Sequence, residues 1–169
     1  MGNNERILKG LKQAMQAEAD GHNFYKMAAN NTNDEEGKEV FLQLAQDEVE
    51  HFIFLKAQYD SIIETGKVDM NVKLGKPSTE ANESPIFSEG FKSRLNEAHL
   101  EMSALSIGAQ LELSAVQFYQ KEAEVIDDPA VKQFYTELAE WEKGHHRRLI
   151  KQQQELQDDY WDAAGFQPF

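Results

Sequence analysis

The chain contains no cysteine among its 169 residues. Disulfide bonds, thiolate nucleophiles, zinc fingers and iron–sulfur clusters are therefore excluded, which leaves aspartate, glutamate and histidine as metal ligands. Basic residues are few as well, because 17 lysines and arginines stand against 30 aspartates and glutamates, for a formal charge of −13. Such a charge repels phosphate backbones and anionic lipid surfaces, so we expect neither nucleic acid nor a membrane as a partner.

Long apolar runs are also missing. The N-terminal segment MGNNERILKG has no apolar core of the length that a signal peptide requires, and no later run is long enough to span a bilayer. A cytoplasmic protein is therefore expected. The length of the chain is that of one domain, which can bury a core without disulfides or structural zinc.

Helix breakers are confined to a few places. Proline occurs only at positions 77, 85, 129 and 168, and glycine is sparse outside residues 66–90. The uninterrupted segments carry apolar residues at intervals of three and four, which indicates one buried face of a helix. Four long helices are predicted: Glu5 to about Asn30, about Glu35 to Glu64, a third capped by Ser103, and a fourth from the Asp127-Asp128-Pro129 turn to about Gln157.

The lengths of the connections predict how these helices pack. Those within the first pair and within the second pair are a few residues long, so each pair is expected to be antiparallel. The connection between the pairs, at about residues 65–102, is long enough to travel the length of a bundle and to hold a short helix near Phe91 to Asn96. We therefore predict an all-α four-helix bundle over residues 1–158 with one long crossover. An aromatic tail at 159–169 is placed to lie against the bundle or a second subunit.

The two helical pairs are repeats of each other. A shift of 94 residues superimposes them with 13 identities over the 45 positions from Gln16 to Asp60. The identities combine packing residues with residues of the types that bind metals. They include these pairs: Glu18 with Glu112, Tyr25 with Tyr119, Glu48 with Glu142, and His51 with His145.

Four of the repeated residues are glutamates on the apolar faces of the predicted helices. An ionised carboxylate in an apolar interior is strongly unfavourable when unpaired, so four together require a compensating cation. Each pair also has a Glu-x-x-His, Glu48 with His51 and Glu142 with His145, whose spacing keeps both side chains on one helix face. Four carboxylates and two neutral imidazoles match the charge of two divalent ions. An oxygen and nitrogen set without sulfur suits iron or manganese, with zinc as an alternative.

With these residues the chain resembles the ferritin-like superfamily, and within it the rubrerythrin-like branch, over roughly residues 5–158. The strings that carry the resemblance are AEADGHNFY and QDEVEHF in the first half, and LELSAVQFY and EWEKGHH in the second. The resemblance implies a ferritin-like bundle with a di-iron centre, whose metal ligands are Glu18, Glu48, His51, Glu112, Glu142 and His145. It also implies that Glu48 and Glu142 bridge the metals and that Glu18 and Glu112 are terminal or bridging ligands. Tyr25 and Tyr119 would hydrogen-bond ligand carboxylates and tune the centre, which makes them the catalytic candidates.

Two departures from the family pattern change what the resemblance implies. Full-length rubrerythrins carry a rubredoxin-like iron site made of four cysteines, and this chain has none, so an external electron-donor protein is expected. Rubrerythrins also carry an additional ligand glutamate. Its position is occupied here by Ala115, with Gly21 as the counterpart in the first helix.

The remaining polar residues near the motifs are interpreted as supporting residues. Asp47 precedes Glu48 and is placed to hold the imidazole of His145 through its outer nitrogen, although its repeat counterpart is Trp141. No glutamate lies three residues before the other histidines, which we interpret as surface or outer residues: His22, His99 and His146.

The leading functional hypothesis is a non-haem di-iron oxidoreductase that reduces hydrogen peroxide or dioxygen by two electrons. A first alternative is a ferroxidase or iron-handling protein, which would take up many irons per chain, whereas a redox enzyme stops at two. A second alternative is a helical interaction module with a vestigial metal site. A homodimer is expected from the class of protein and from the aromatic tail.

Overall fold

The computed structural model describes residues 3–75 and 84–163, and within these ranges it contains five α-helices and no strand. The helices are α1 (Asn3–Asn31), α2 (Glu35–Thr65), the short α3 (Glu89–Lys92), α4 (His99–Val125) and α5 (Pro129–Ala163), with one 3₁₀ turn at Leu95–Glu97. α1 packs along α2, α4 packs along α5, and the two pairs meet where α1 lies beside α4. The predicted all-α four-helix bundle is confirmed. None of the described helices has the length and apolar character needed to cross a bilayer.

Two helix ends differ from the prediction. α4 begins at His99, four residues before Ser103, because the N–H of Met102 donates to the carbonyl of Ala98 (3.0 Å) and so closes an earlier first turn. Ser103 is therefore not the cap, and no side chain caps this helix. α5 continues to Ala163, past the expected end near Gln157, since no breaker follows until Gly165. The rest of the predicted tail, 164–169, and residues 76–83 of the crossover lie outside the described residues.

The core consists of two apolar clusters at opposite ends of the bundle. One combines the first halves of α1 and α5 with the second halves of α2 and α4, for example Leu11, Leu55 and Leu138. The other combines the opposite halves, with Phe41 and Leu149 among its fully buried members. This pairing of halves means that α1 and α5 run one way while α2 and α4 run the other. The crossover therefore has to return along the whole bundle before α4 begins.

Two buried glutamines hold the ends of this crossover. Gln58 of α2 donates to the carbonyl of Asp69 (3.1 Å) and accepts from its N–H (2.9 Å). Gln152 of α5, which occupies the same place in the repeat, accepts from the N–H of Ile86 (2.6 Å). Buried side-chain amides that satisfy loop backbone groups in this way fix a loop that has no ladder partner of its own. The crossover consequently lies along α2 and α5.

Repeat-related aspartates also start the second helix of each pair. Asp34 accepts from the N–H of Gly37 (2.9 Å), and Asp128 accepts from the N–H groups of Ala130 (2.9 Å) and Val131 (3.1 Å). Both satisfy the unpaired donors of a helix N-terminus. Asp34 has a second task, since it also accepts from the N–H (3.1 Å) and the hydroxyl of Ser88 in the crossover. Burial alone would raise the pKa of the Asp34 carboxyl, but the hydrogen bonds from Ser88 and Gly37 lower it overall.

We expect Asp34→Ala to lower the free energy of unfolding by about 2 to 3 kcal/mol, because it removes a helix cap and leaves the half-buried Ser88 N–H without its acceptor. Asp128→Ala, the repeat-matched control, removes a cap alone and should cost about 1 kcal/mol. Because the pKa of Asp34 is lowered, its contribution is present above the ordinary aspartate pKa of 3.8 and is lost as the pH falls below it. Urea titrations at pH 7 and pH 3 measure both effects. Equal losses for the two variants would show that Asp34 does not hold the crossover.

Candidate metal centre

All six predicted ligands lie between the two apolar clusters, and each is at most 4 % exposed. α1 supplies Glu18, α2 supplies Glu48 and His51, α4 supplies Glu112, and α5 supplies Glu142 and His145. The three-residue spacing of each Glu-x-x-His places its two side chains one above the other on the buried face of the helix. The four helices therefore aim every carboxylate and imidazole of the repeat at one place in the bundle.

The six side chains form two overlapping groups of four. The first consists of Glu18, Glu48, His51 and Glu142, and the second of Glu48, Glu112, Glu142 and His145. Within each group one ligand atom from every residue lies within 4.8 Å of the others. Glu48 and Glu142 belong to both groups. Because a carboxylate has two oxygens, each of these two glutamates could use one oxygen for one ion and the other oxygen for a second ion. This shared position is where the sequence analysis predicted bridging ligands.

The carboxyl groups of the centre have different pKa values because their surroundings differ. Burial raises the pKa of Glu48 and of Glu112 well above the ordinary value, and the negative charge of Glu142 adds to the effect. Burial would do the same to Glu142, but the nearby His51 and His145 lower the pKa of its carboxyl overall. Glu142 is therefore the carboxylate that stays ionised in the metal-free protein, while Glu48 and Glu112 tend to hold protons.

Both histidines turn their Nδ1 atoms toward the carboxylates. Nδ1 of His51 lies 2.9 Å from Glu142 and 3.3 Å from Glu18, and Nδ1 of His145 lies 3.2 Å from Glu142. Burial on its own would lower the pKa of each imidazole. The carboxylates reverse this effect, so that the pKa of His51 is well above its usual range and that of His145 is about 10. In the metal-free protein the two imidazoles are thus cations, and a metal ion that binds Nδ1 must displace a proton.

The two predicted tyrosines connect the helical pairs crosswise. The hydroxyl of Tyr25 on α1 donates to Glu112 on α4, and the hydroxyl of Tyr119 on α4 donates to Glu18 on α1. Burial raises the pKa of both phenols well above 10, and the adjacent carboxylates raise it further. Both hydroxyl groups therefore remain protonated donors at any physiological pH. Tyr25 orients Glu112 and Tyr119 orients Glu18, and each of these glutamates belongs to only one of the two ligand groups.

The outer nitrogens of the two histidines have different partners. Nε2 of His145 lies 3.0 Å from an oxygen of Asp47, as predicted, which fixes the tautomer that leaves Nδ1 free for a metal. Nε2 of His51 is buried without a hydrogen-bond partner among the described residues. Trp141 stands there instead, with its ring edge-on to the imidazole at a centroid distance of 4.8 Å. The sequence analysis missed this contact, although the pairing of Trp141 with Asp47 in the repeat was the available signal.

The other three histidines do not join the centre. His22 is half-buried on α1, and its Nδ1 lies 2.8 Å from the carbonyl of Ala45. His99 is exposed, and His146 is half-buried on the side of α5 next to His145. Neither group of four candidate ligands includes any of them.

This donor set fits two divalent ions. Four carboxylates and two imidazoles, nearly all removed from solvent, provide oxygen and nitrogen ligands without sulfur. The Oε1 atom of Glu142, in the middle of the cluster, faces Nδ1 of His51 at 2.9 Å and has no other partner among the described residues. One ion would be held by Glu18 and His51, the other by Glu112 and His145, and both by Glu48 and Glu142.

One comparison with known proteins finds a match. The family model described as Rubrerythrin matches residues 9–101, which is more than half of the chain and includes α1, α2 and the crossover. No curated protein and no solved structure matches the chain. The second helical pair lies almost entirely outside the matched residues, so its part in the centre rests on the internal repeat and on the geometry described above.

Glu48→Gln should make the metal-free protein more stable at pH 7 by about 1 to 3 kcal/mol, because it removes a carboxyl group that burial keeps from ionising. The raised pKa of Glu48 means that its unfavourable effect appears only above the ordinary pKa of 4.5, so the gain should vanish as the pH falls to 4. Urea unfolding of chelator-treated protein measures the change, with the exposed Glu39→Gln as control. The same variant should bind fewer than two metal ions. A less stable metal-free variant would contradict the predicted ionisation.

Asp47→Ala should weaken one of the two metal positions selectively. Loss of an outer partner of a ligating histidine typically lowers metal affinity about 10- to 100-fold, and of the two ligating histidines Asp47 contacts only His145. Anaerobic calorimetric titration with ferrous ion should show one weakened and one unchanged binding step. Gln43→Ala is the control, since Gln43 donates to the other oxygen of Asp47 (2.9 Å) and leaves the histidine contact in place. Uniform weakening of both steps would contradict the assignment.

Proposed function

Because the chain belongs to the rubrerythrin family, we propose that it is a non-haem di-iron oxidoreductase that reduces hydrogen peroxide or dioxygen by two electrons. Two bound ferrous ions supply this chemistry, since each can give up one electron. Manganese or zinc would fit the same ligands, but only redox-active metals support the proposed reaction.

The observation that carries the proposal is the sharing of Glu48 and Glu142 between two complete ligand groups. Redox reactions by two electrons need both ions close to the same oxidant, and shared carboxylates hold two ions together. A single structural ion would need only one of the groups.

The protein's own residues have distinct tasks in this proposal. Glu18 and His51 would hold one ion, Glu112 and His145 would hold the other, and the shared Glu48 and Glu142 would hold both. Tyr25 and Tyr119 hold the outer carboxylates in place through their hydroxyl groups. The protons that the imidazoles release on metal binding leave neutral ligands whose Nδ1 atoms face the ions.

Reducing equivalents have to come from outside the chain in this proposal. The sequence has no cysteine, so it cannot form a second, sulfur-ligated iron site of its own. We propose an external electron-donor protein as the partner that returns the ions to the ferrous state. The homodimer and the cytoplasmic location remain predictions from the sequence.

The test is to load anaerobic protein with two ferrous ions per chain and to add peroxide or air. We expect oxidant consumption matched to two electrons per chain and a ferric absorption band in the near ultraviolet. Glu142→Ala should abolish both, because it removes a ligand from each position, whereas the exposed Glu137→Ala on the same helix should change neither. Loaded wild-type protein that consumes no oxidant would overturn the proposal.

The same experiment separates the two alternatives. Continued uptake and oxidation of iron far beyond two ions per chain would identify an iron-handling protein. Failure to bind iron at all would favour a helical interaction module with a vestigial site. A halt at two ions with oxidant consumption supports the oxidoreductase.

A further inference from the structure

The candidate centre is open on one side of the bundle and covered on another. On the side of α2 and α5 lie the described parts of the crossover, 66–75 and 84–98, and the backbone at Gly75 comes so close to Trp141 that an added Cβ would lie 3.4 Å from the indole ring. Between α1 and α4, in contrast, a groove of about 510 Å³ descends to the four glutamates of the centre. Neither ligating histidine lines this groove. Molecules in it therefore meet the carboxylate side of the centre.

Two small residues at the same place in the repeat create this groove. Gly21 on α1 and Ala115 on α4 each follow a ligand glutamate by three residues, so both face the centre from opposite walls. A Cβ added at Gly21 would already touch the carboxyl group of Glu48, at 3.5 Å. Larger side chains at either position would occupy the space in front of the glutamates. The groove is therefore set by the absence of side-chain volume at two symmetric positions.

The volume of the groove is much greater than the oxidant requires. A water molecule takes up about 30 Å³ of the liquid, and dioxygen or peroxide has only two heavy atoms. Small organic ligands, in contrast, occupy sites of about 300 to 1,000 Å³. A second, smaller opening of about 220 Å³ between α1 and α2 also reaches Glu18 and Glu48, past His22 and Phe52. The oxidant thus has a route that leaves the larger groove to another molecule.

The lining of the groove indicates the chemistry of that molecule. Its upper wall is apolar, with the half-buried Phe118 and with Leu111, whose side chain is 37 % exposed. Outside the centre the charged groups are Asp20, Lys121 and Glu122, which leave an excess of one negative charge. An organic anion would be repelled. The buried acidic groups that line the groove are the four glutamates of the centre, whose charge two bound ions would balance, so they would not favour a strongly charged cation in the loaded protein. An uncharged, largely apolar molecule fits both features.

We propose that the α1–α4 groove binds an uncharged, largely apolar organic substrate and presents one of its C–H bonds to the centre. The proposal rests on the proposed function, in which the centre reacts with peroxide, but here the two electrons come from the C–H bond of the substrate and not from the ions. With peroxide, the C–H bond and the O–O bond break, a C–O bond forms, and the remaining oxygen leaves as water, so that R–H and H₂O₂ give R–OH and H₂O. The carbon is oxidised by two electrons and the peroxide is reduced by two. No external reductant is needed for this reaction.

Binding is tested first with the neutral fluorophore prodan on the full chain, with and without metal. We expect saturable binding of one molecule per chain with blue-shifted emission, and Ala115→Phe should weaken it by at least about tenfold. Ala104→Phe is the matched control, since Ala104 is also half-buried on α4 and lines a separate apolar hollow of about 270 Å³ farther along the α1–α4 seam. It should change the affinity by less than about twofold. Ala115→Leu repeats the test if the phenylalanine variant does not fold.

Three binding results would overturn the proposal that the groove binds an organic substrate. These are no saturable binding by the wild type, equal binding by the wild type and the folded Ala115 variants, and a larger loss in Ala104→Phe than in Ala115→Phe. The last result would place the ligand in the other hollow. If the wild type loses prodan binding when it self-associates, a second copy of the chain covers the groove. That result would also overturn the proposed binding of an organic substrate.

Turnover is tested with ethylbenzene as an uncharged probe, on protein loaded with two ferrous ions and supplied with ¹⁸O-labelled peroxide. We expect ethylbenzene to displace prodan and to be converted to 1-phenylethanol that carries the label, with the yield falling in Ala115→Phe and persisting in Ala104→Phe. Peroxide consumption without labelled alcohol would overturn the substrate role of the groove while the proposed function stands. Prodan binding without any peroxide consumption would instead mean that the proposed function itself has failed.

Discussion

The structure depends on placing four carboxyl groups and two imidazoles in the middle of an apolar bundle. Unpaired charges there would oppose folding strongly, so the six groups can be buried only if their charges cancel. Protons provide the cancellation in the metal-free protein, where the histidines carry positive charge beside Glu142 and the pKa values of Glu48 and Glu112 are raised. Two divalent ions would provide it in a loaded protein. The same cluster therefore has two ways to be neutral, and metal binding exchanges one for the other with the release of protons.

The internal repeat explains why the cluster is so complete. Each helical pair contributes the same set of ligand types, and the crosswise bonds of Tyr25 to Glu112 and Tyr119 to Glu18 connect the two sets. The symmetry is broken beyond the ligands, where one outer imidazole nitrogen contacts an aspartate and the other meets a tryptophan. A centre with matched ligands and unmatched surroundings gives its two positions different affinities, which is a way to distinguish two ions without changing what binds them.

The crossover and the groove divide the bundle into a closed and an open side. Gln58 and Gln152 hold the crossover over α2 and α5, while the small residues Gly21 and Ala115 keep the space between α1 and α4 free. Access to the centre is therefore controlled by the choice of side at which the long connection returns. The chain has to return along the bundle between α2 and α4, and its path on the side of α2 and α5 leaves the α1–α4 side free.

Sequence periodicity and the repeat by themselves determined the four long helices, their antiparallel pairing and the six residues that gather in the middle. Those features follow from local spacing, because residues that are three and four positions apart lie on the same face of a helix. The start of α4 before Ser103 and the end of α5 beyond Gln157 were missed, because the first turn of α4 closes through a backbone hydrogen bond from Met102 to Ala98 and helix ends carry only weak sequence signals. The contact of Trp141 with His51 and the groove between α1 and α4 were likewise beyond the sequence. They depend on which faces of distant helices meet and on how much space remains between them, and no spacing within a single helix contains that information.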